Sequence, residues 1–232
     1  MTYVMRVLAP ALLLGGVAAG HAKAPESAYP SMAPLAQYRS DSQEDEIAFA
    51  RSAAPPSIAN DAEILTLGAH GYDVAVAGSN GFVCLVERAW ANDFDSSDFW
   101  NPEVRAPNCF NAAAARSVLP TYLKRTEWAL AGVPKVQMVD RTRAALAAKQ
   151  IKEPETGAMC YMMSKRGYLG DDVHGHWHPH LMFFLPRTSP STWGANAKGS
   201  PLLASTGALE PVTVFFLPVN SWSDGTPDDM KK

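Results

Sequence analysis

Two seven-residue runs, "HLMFFLP" at 180–186 and "VTVFFLP" at 212–218, share the tetrapeptide FFLP and each end on proline. Both are rich in aromatic and aliphatic residues and too short for a buried helix, so they read as buried strands. Proline cannot donate to a ladder, so each run should stop at its proline, on an edge or at a strand terminus. The chain must therefore build a sheet in which these two similar strands lie as partners.

Other segments extend that sheet. "EILTL" from Glu63, "YDVAVA" and "GFVCLVERAW" have β-like alternation, and "GSNG" at 78–81 predicts a hairpin between the last two. "AMCYMMSK" adds a further strand, whereas "APNCFN" reads as polar loop. Helices are expected in three places. "SDSQEDEIAFARSA" carries a capping box formed by Ser40 and Gln43 and stops at the prolines 55–56. "AAAARSVLPTYLKRTEWALAG" kinks or restarts at Pro120 and stops at Gly132. "PKVQMVDRTRAALAAKQ" opens at Pro134, with an apolar stripe of Val136, Val139 and Leu146. The order strands, helices, strands predicts an α+β fold: a mainly antiparallel sheet with two or three helices in a single domain. The Gly/Ser/Pro-rich stretch between the FFLP runs reads as a long functional or partly disordered loop.

The N-terminus sets the expected compartment. Arg6 precedes "VLAPALLLGGVAAG" and then small residues, the order of a secretory signal peptide, with cleavage expected after Ala22. The run is short for a membrane span, which needs about 20 apolar residues, and no later stretch is long and apolar enough. Residues 23–40, rich in proline, serine and alanine, read as a flexible segment, and 41–232 as one globular domain. The expected product is secreted or periplasmic. Its formal charge of −3, or −4 once Arg6 is removed, gives no reason to expect nucleic acid or an anionic membrane as partner. Of Cys84, Cys109 and Cys160, one pair is expected to form a disulfide in an oxidising compartment. The Cys84–Cys109 pairing is preferred, and three buried thiols are the alternative.

The chemistry concentrates at 171–186, "DDVHGHWHPHLMFFLP", where His174, His176, His178 and His180 occupy every second position. On an extended chain such residues share one face, so any His-x-His pair presents two imidazoles to one ion. The expected metal ligands are His178, His180 and His174, with His70 of "GAHGYD" as the remote contributor and zinc as the ion. His176 and Asp172 are the candidate catalytic acid–base residues, and Asp171, Asp172, Asp73 and Glu87 are the carboxylates considered as further ligands or orienting partners.

Two resemblances bear on this stretch. "HWHP" at 176–179 resembles the His-x-His-Pro element of the JAMM/MPN+ metalloproteases, in which both histidines bind zinc. Pro186 and Ser189 stand where that family has its serine and aspartate, so its residue roles are not carried over. "HPHLMFF" is similar to the final strand of LAS-type peptidoglycan peptidases. That similarity implies His178 as base and His180 as ligand, while "HGYD" is too compact for the upstream ligand pair of that family.

The chain has no HExxH, Cys-x-x-Cys, P-loop, GxGxxG or Gly-x-Ser-x-Gly motif. The methionines of "MCYMM" read as core filling. "DFDSSDFWNP" reads either as a carbohydrate or peptide groove or as a loop anchored by its aromatic rings. Two functions are therefore expected from sequence. One is an exported zinc-dependent hydrolase acting on a small-molecule, peptide or cell-wall substrate. The other is a non-catalytic exported domain that binds a metal or a ligand.

Overall fold

The computed structural model describes residues 28–170 and 178–228. The leader expected at 1–22 and the residues Asp171, Asp172, His174 and His176 lie outside the described residues.

In chain order come α1 (Gln43–Arg51), α2 (Pro56–Ala59), β1 (Glu63–Leu67), β2 (Tyr72–Val76), β3 (Val83–Glu87) and β4 (Ala106–Phe110). Then follow α3 (Ala112–Ser117), α4 (Leu119–Leu130), α5 (Lys135–Ala147), β5 (Met159–Met162), β6 (His180–Pro186), β7 (Leu203–Thr206) and β8 (Val212–Pro218). The eight strands form one sheet in the order β2-β1-β3-β4-β5-β6-β8-β7. Every neighbouring pair is antiparallel except β1 and β3. The fold is α+β with a mainly antiparallel sheet, as expected. The described residues hold five helical segments rather than two or three. Pro56 opens a separate one-turn helix, and Pro120 restarts the helix after a break at Val118.

The FFLP strands are partners. β6 and β8 pair over their full length, with Pro186 opposite Val212 and His180 opposite Pro218, so each proline terminates its strand at the opposite end of the pair. The reading of 78–81 as a hairpin turn is corrected. The hairpin joins β1 to β2 through residues 68–71, where Gly68 N–H donates to Gly71 O at 2.7 Å. The 78–81 loop instead crosses the end of β1 to start a parallel partner. Ser79 N–H bonds Asp61 O at 2.8 Å, and a Cβ on Gly78 would lie 2.1 Å from Glu63 N. Burial explains the order: β1 is buried along most of its length and needs neighbours on both sides, whereas β2 is half exposed and suits an edge.

"APNCFN" is not a loop. It contains β4, fully buried between β3 and β5 despite Pro107. Cys84 and Cys109 stand directly opposite in the β3–β4 ladder, Cα atoms 4.0 Å apart, and form a disulfide; Cys160 is free and buried. The long stretch after β6 contributes β7, a four-residue edge strand.

The sheet is covered on both faces. α3 and α4 pack on Leu85, Phe110, Cys160, Met182 and Phe184, while α1 and α2 pack on Ile64, Cys84, Val86 and Cys109. α1 is capped by Ser42, whose Oγ accepts from Asp45 N–H at 3.0 Å, and not by Ser40, and it ends at Arg51, ahead of the prolines. A third cluster gathers Tyr38, Trp90, Phe99, Trp100 and Met138. It draws in two segments read differently above. Tyr38 is fully buried and donates to Trp100 O at 2.7 Å, which ties down the end of the segment expected to be flexible. α5 buries Met138 and Thr142, leaving Val136 of the expected stripe 67% exposed. The "DFDSSDFWNP" loop is anchored by its rings, with Phe99 and Trp100 buried in this cluster.

Candidate functional site

Alternation along the strands places a distinct set of side chains under α3 and α4. Leu85 and Glu87 of β3, Ala106 and Phe110 of β4, Cys160 and Met162 of β5, and His180 and Met182 of β6 share that face. At one end of the sheet, Glu87 is opposite Ala106 and Met162 is opposite His180. There the sheet and α4 enclose a cavity of about 250 Å³. Its floor is Glu87, Met162, His180, Met182 and Phe216, its roof is Val118, Tyr122 and Arg125, and the β7–β8 turn closes one side with Glu210.

Glu87 is the chemical centre of this cavity. It is only 7% exposed, Asn108 Nδ2 donates to its Oε2 at 3.3 Å, and its Oε1 has no hydrogen-bond partner. Burial pushes its carboxyl up to about 7, opposed by the Asn108 bond and by the more distant Arg125 charge. Burial also raises the Tyr122 hydroxyl and the Cys160 thiol, and the Glu87 charge adds to both shifts. The carboxyl is therefore poised between its protonated and ionised forms near neutrality.

The nearby cations are committed elsewhere. Arg88 Nη2 bonds Glu46 Oε1 at 2.9 Å and its Nε donates to Tyr38 O at 2.6 Å. Arg125 forms an ion pair with Glu210, donates to Asn92 O at 2.9 Å, and stacks 4.3 Å over the Phe94 ring. This ion pair ties α4 to the β7–β8 turn across the cavity wall.

The histidine stretch enters from the same end. His180 is partly buried at the start of β6, its edge meets the Phe216 ring at 5.8 Å, and burial lowers its pKa. Its Nδ1 lies 2.9 Å from His178 O. His178 Nδ1 lies 2.7 Å from Asp228 Oδ2, a carboxylate only 2% exposed. The chain following β8 holds that carboxylate in place: Val219 N–H bonds Pro179 O and Asp228 N–H bonds Asn220 O, both at 2.9 Å.

Of the residues singled out from sequence, His178 and His180 are brought together. His70 is exposed in the β1–β2 turn, and β1 lies four strand positions from β6. At about 4.8 Å per strand that is on the order of 19 Å across the sheet, so the topology does not bring His70 to His180. Asp73 is exposed on the edge strand β2. His174, His176 and Asp172 lie outside the described residues, and among the described residues no group of three His, Cys, Asp or Glu side chains is arranged to hold a metal ion. Sequence reasoning reaches Glu87 only as a remote ligand and misses Asn108, Tyr122, Arg125 and Glu210. One signal was available: Glu87 continues the core-facing alternation of Val83 and Leu85.

Comparison with protein-family models, curated proteins and solved structures finds no match to the chain.

Proposed function

We propose that the chain is an exported domain that binds a small molecule in the cavity above the sheet, with Glu87 as the polar anchor and acid–base group. The observation that carries this reading is the buried Glu87 carboxyl, one oxygen of it unpartnered, at the floor of a mostly apolar cavity. A buried polar atom without a partner costs roughly 1–3 kcal/mol, and the fold bears that cost at a group that lines the cavity. At about 250 Å³ the cavity falls below the roughly 300–1,000 Å³ of drug-sized sites, so its ligand is small. A carboxyl titrating near neutrality can also exchange a proton with whatever binds there. Export is supported by the leader-like N-terminus and by the Cys84–Cys109 disulfide. The test is a screen of small molecules by ligand-observed NMR against the wild type and Ser205→Trp, which fills the cavity from the exposed edge strand. Saturable binding lost in the filled variant supports the reading, and binding that survives there rejects it.

A second reading is favoured by the His178–Asp228 pair. A carboxylate on one ring nitrogen orients the other toward a metal, as the partners of zinc-bound histidines do. His178 and His180 would then be two imidazole ligands of a zinc ion, with His174 the expected third, and zinc would supply an acidic bound water for hydrolysis of a peptide or cell-wall bond. In that reading His176 and Asp172 exchange the proton. Zinc titration of untagged protein against His178→Ala/His180→Ala separates the two readings.

A further inference from the structure

We propose that the cavity selects a small organic cation, an apolar-bodied amine whose ammonium pairs with the Glu87 carboxylate; the inference rests on the ligand-binding reading of the same cavity. Three observations point to a cation. The first is the Glu87 carboxyl itself, which lines the floor of the cavity and has one buried oxygen, Oε1, without a hydrogen-bond partner. The second is the local charge balance. Arg88 is paired with Glu46 and Arg125 with Glu210, while Lys152 is exposed at the rim. The ionised Glu87 therefore has no committed counter-ion. The third is the wall, where Tyr122 and Phe216 place aromatic rings beside apolar Met162 and Met182. Such rings attract an ammonium and also accept its hydrocarbon body.

Other ligand charges fit less well. An anion would face Glu87 at the floor, while Lys152, the lining cation outside these ion pairs, stands at the exposed rim. A neutral alcohol leaves the carboxylate without a counter-charge, and a carbonyl compound can bond only the protonated acid. An ammonium supplies both the missing donor and the missing charge. Its binding draws Glu87 into the ionised form, so affinity should increase as the carboxyl loses its proton. The titratable and charged groups around Glu87 and its cavity are Tyr72, Arg88, Asp93, Tyr122, Arg125, Lys152, Cys160, His180 and Glu210. Burial holds Tyr72, Tyr122 and Cys160 protonated and disfavours the cationic form of His180, while it raises two carboxyls of the cavity, Glu87 and Asp93.

Calorimetric titration with benzylamine, benzyl alcohol and benzoate tests this. Benzylamine should bind the wild type at least about tenfold more tightly than benzyl alcohol near pH 8, the margin of one charge-assisted hydrogen bond, and benzoate should give no binding. The amine's affinity should fall as the pH is lowered to about 5, where Glu87 is protonated. Glu87→Gln should erase the preference for amine over alcohol. Benzyl alcohol binding as tightly as benzylamine, or a Glu87→Gln protein binding benzylamine unchanged, overturns the amine assignment while leaving the cavity as a ligand site. Binding of none of the three to folded wild type rejects the ligand-binding reading and this inference with it. If Glu87→Gln does not fold, the pH profile of Asp93→Asn decides: the same fall in amine affinity assigns it to Glu87, and its loss overturns the assignment.

Discussion

Asn108 Nδ2 donates to one oxygen of Glu87 at 3.3 Å, and the other oxygen of Glu87 has no partner. The same pattern repeats on the amide, whose Oδ1 is also unpartnered. Half-satisfied polar pairs in a buried setting lower stability, and they persist where a ligand or a reaction uses them. The pair lies on β3 and β4, beneath the cavity that Glu87 lines and that His180 of β6 borders three strand positions away. Two of the three unpartnered buried side-chain polar atoms among the described residues thus fall in this one pair, the third being Arg51 Nε.

Glu87 should destabilise the protein as the pH rises. Its folded carboxyl is held at about 7, above the ordinary 4.5, so the folded state binds the proton more tightly than the unfolded chain does. The stability this contributes is complete below pH 4.5, is lost as pH rises toward 7, and changes no further above that. The loss is of order 3 kcal/mol at most. Glu87→Gln, which carries no charge, should melt on the order of 5–10 °C above the wild type near pH 8 and close to it near pH 4. Equal melting temperatures at the higher pH would mean that the carboxylate is well solvated.

Arg125 should matter more than its single ion pair suggests. Arg125→Met leaves Glu210, 15% exposed, without its counter-ion and removes a donor from the carbonyls of Trp90, Ala91 and Asn92. Breaking a buried pair from one side costs about 3–5 kcal/mol in urea denaturation. Adding Glu210→Gln should recover part of it, because the stranded charge is gone. A double variant no more stable than the single one would assign the whole effect to the carbonyls.

The cysteines give a simple count. Cys160 is buried with its thiol pushed well up, so native protein should not react with a thiol reagent. Denatured, unreduced protein should show one reactive thiol and reduced protein three, matching one disulfide and one free cysteine. Replacing Cys84 and Cys109 with alanine should cost about 3 kcal/mol, the chain-entropy value for a loop of 25 residues. Reactivity of Cys84 in unreduced protein would refute the pairing.

How much of this could be read from the sequence depended on whether the deciding interaction was local. The β6–β8 pair was readable because length, apolar character and terminal prolines all sit within each run, and the break at Pro120 because proline acts on its own helix. β4 was not, because Pro107 and Asn108 look like loop residues until Glu87 and Cys84 are placed beside them. The parallel β1–β3 pairing hid for the same reason: a glycine-rich loop signals a turn without saying which strand it passes. The alternation of histidines suggested a shared face, and the structure pairs His178 with a carboxylate fifty positions away that no spacing rule reaches.

Zinc affinity should separate the histidines by topology. If the 174–180 stretch holds a metal, Asp228 orients His178 by accepting at Nδ1, and Asp228→Asn should weaken zinc binding about 10–100-fold, the usual effect of losing such a partner. His180→Ala should weaken it at least as much by removing a ligand. His70→Ala should leave it unchanged, because the β1–β2 turn stands four strand positions from β6. Competition titration with a chromophoric zinc chelator measures all three. A loss on His70→Ala equal to that on His180→Ala would show that the sheet closes further than its strand order implies. Tight binding unaffected by Asp228→Asn or His180→Ala would place the metal elsewhere and leave the Glu87 cavity as the functional centre.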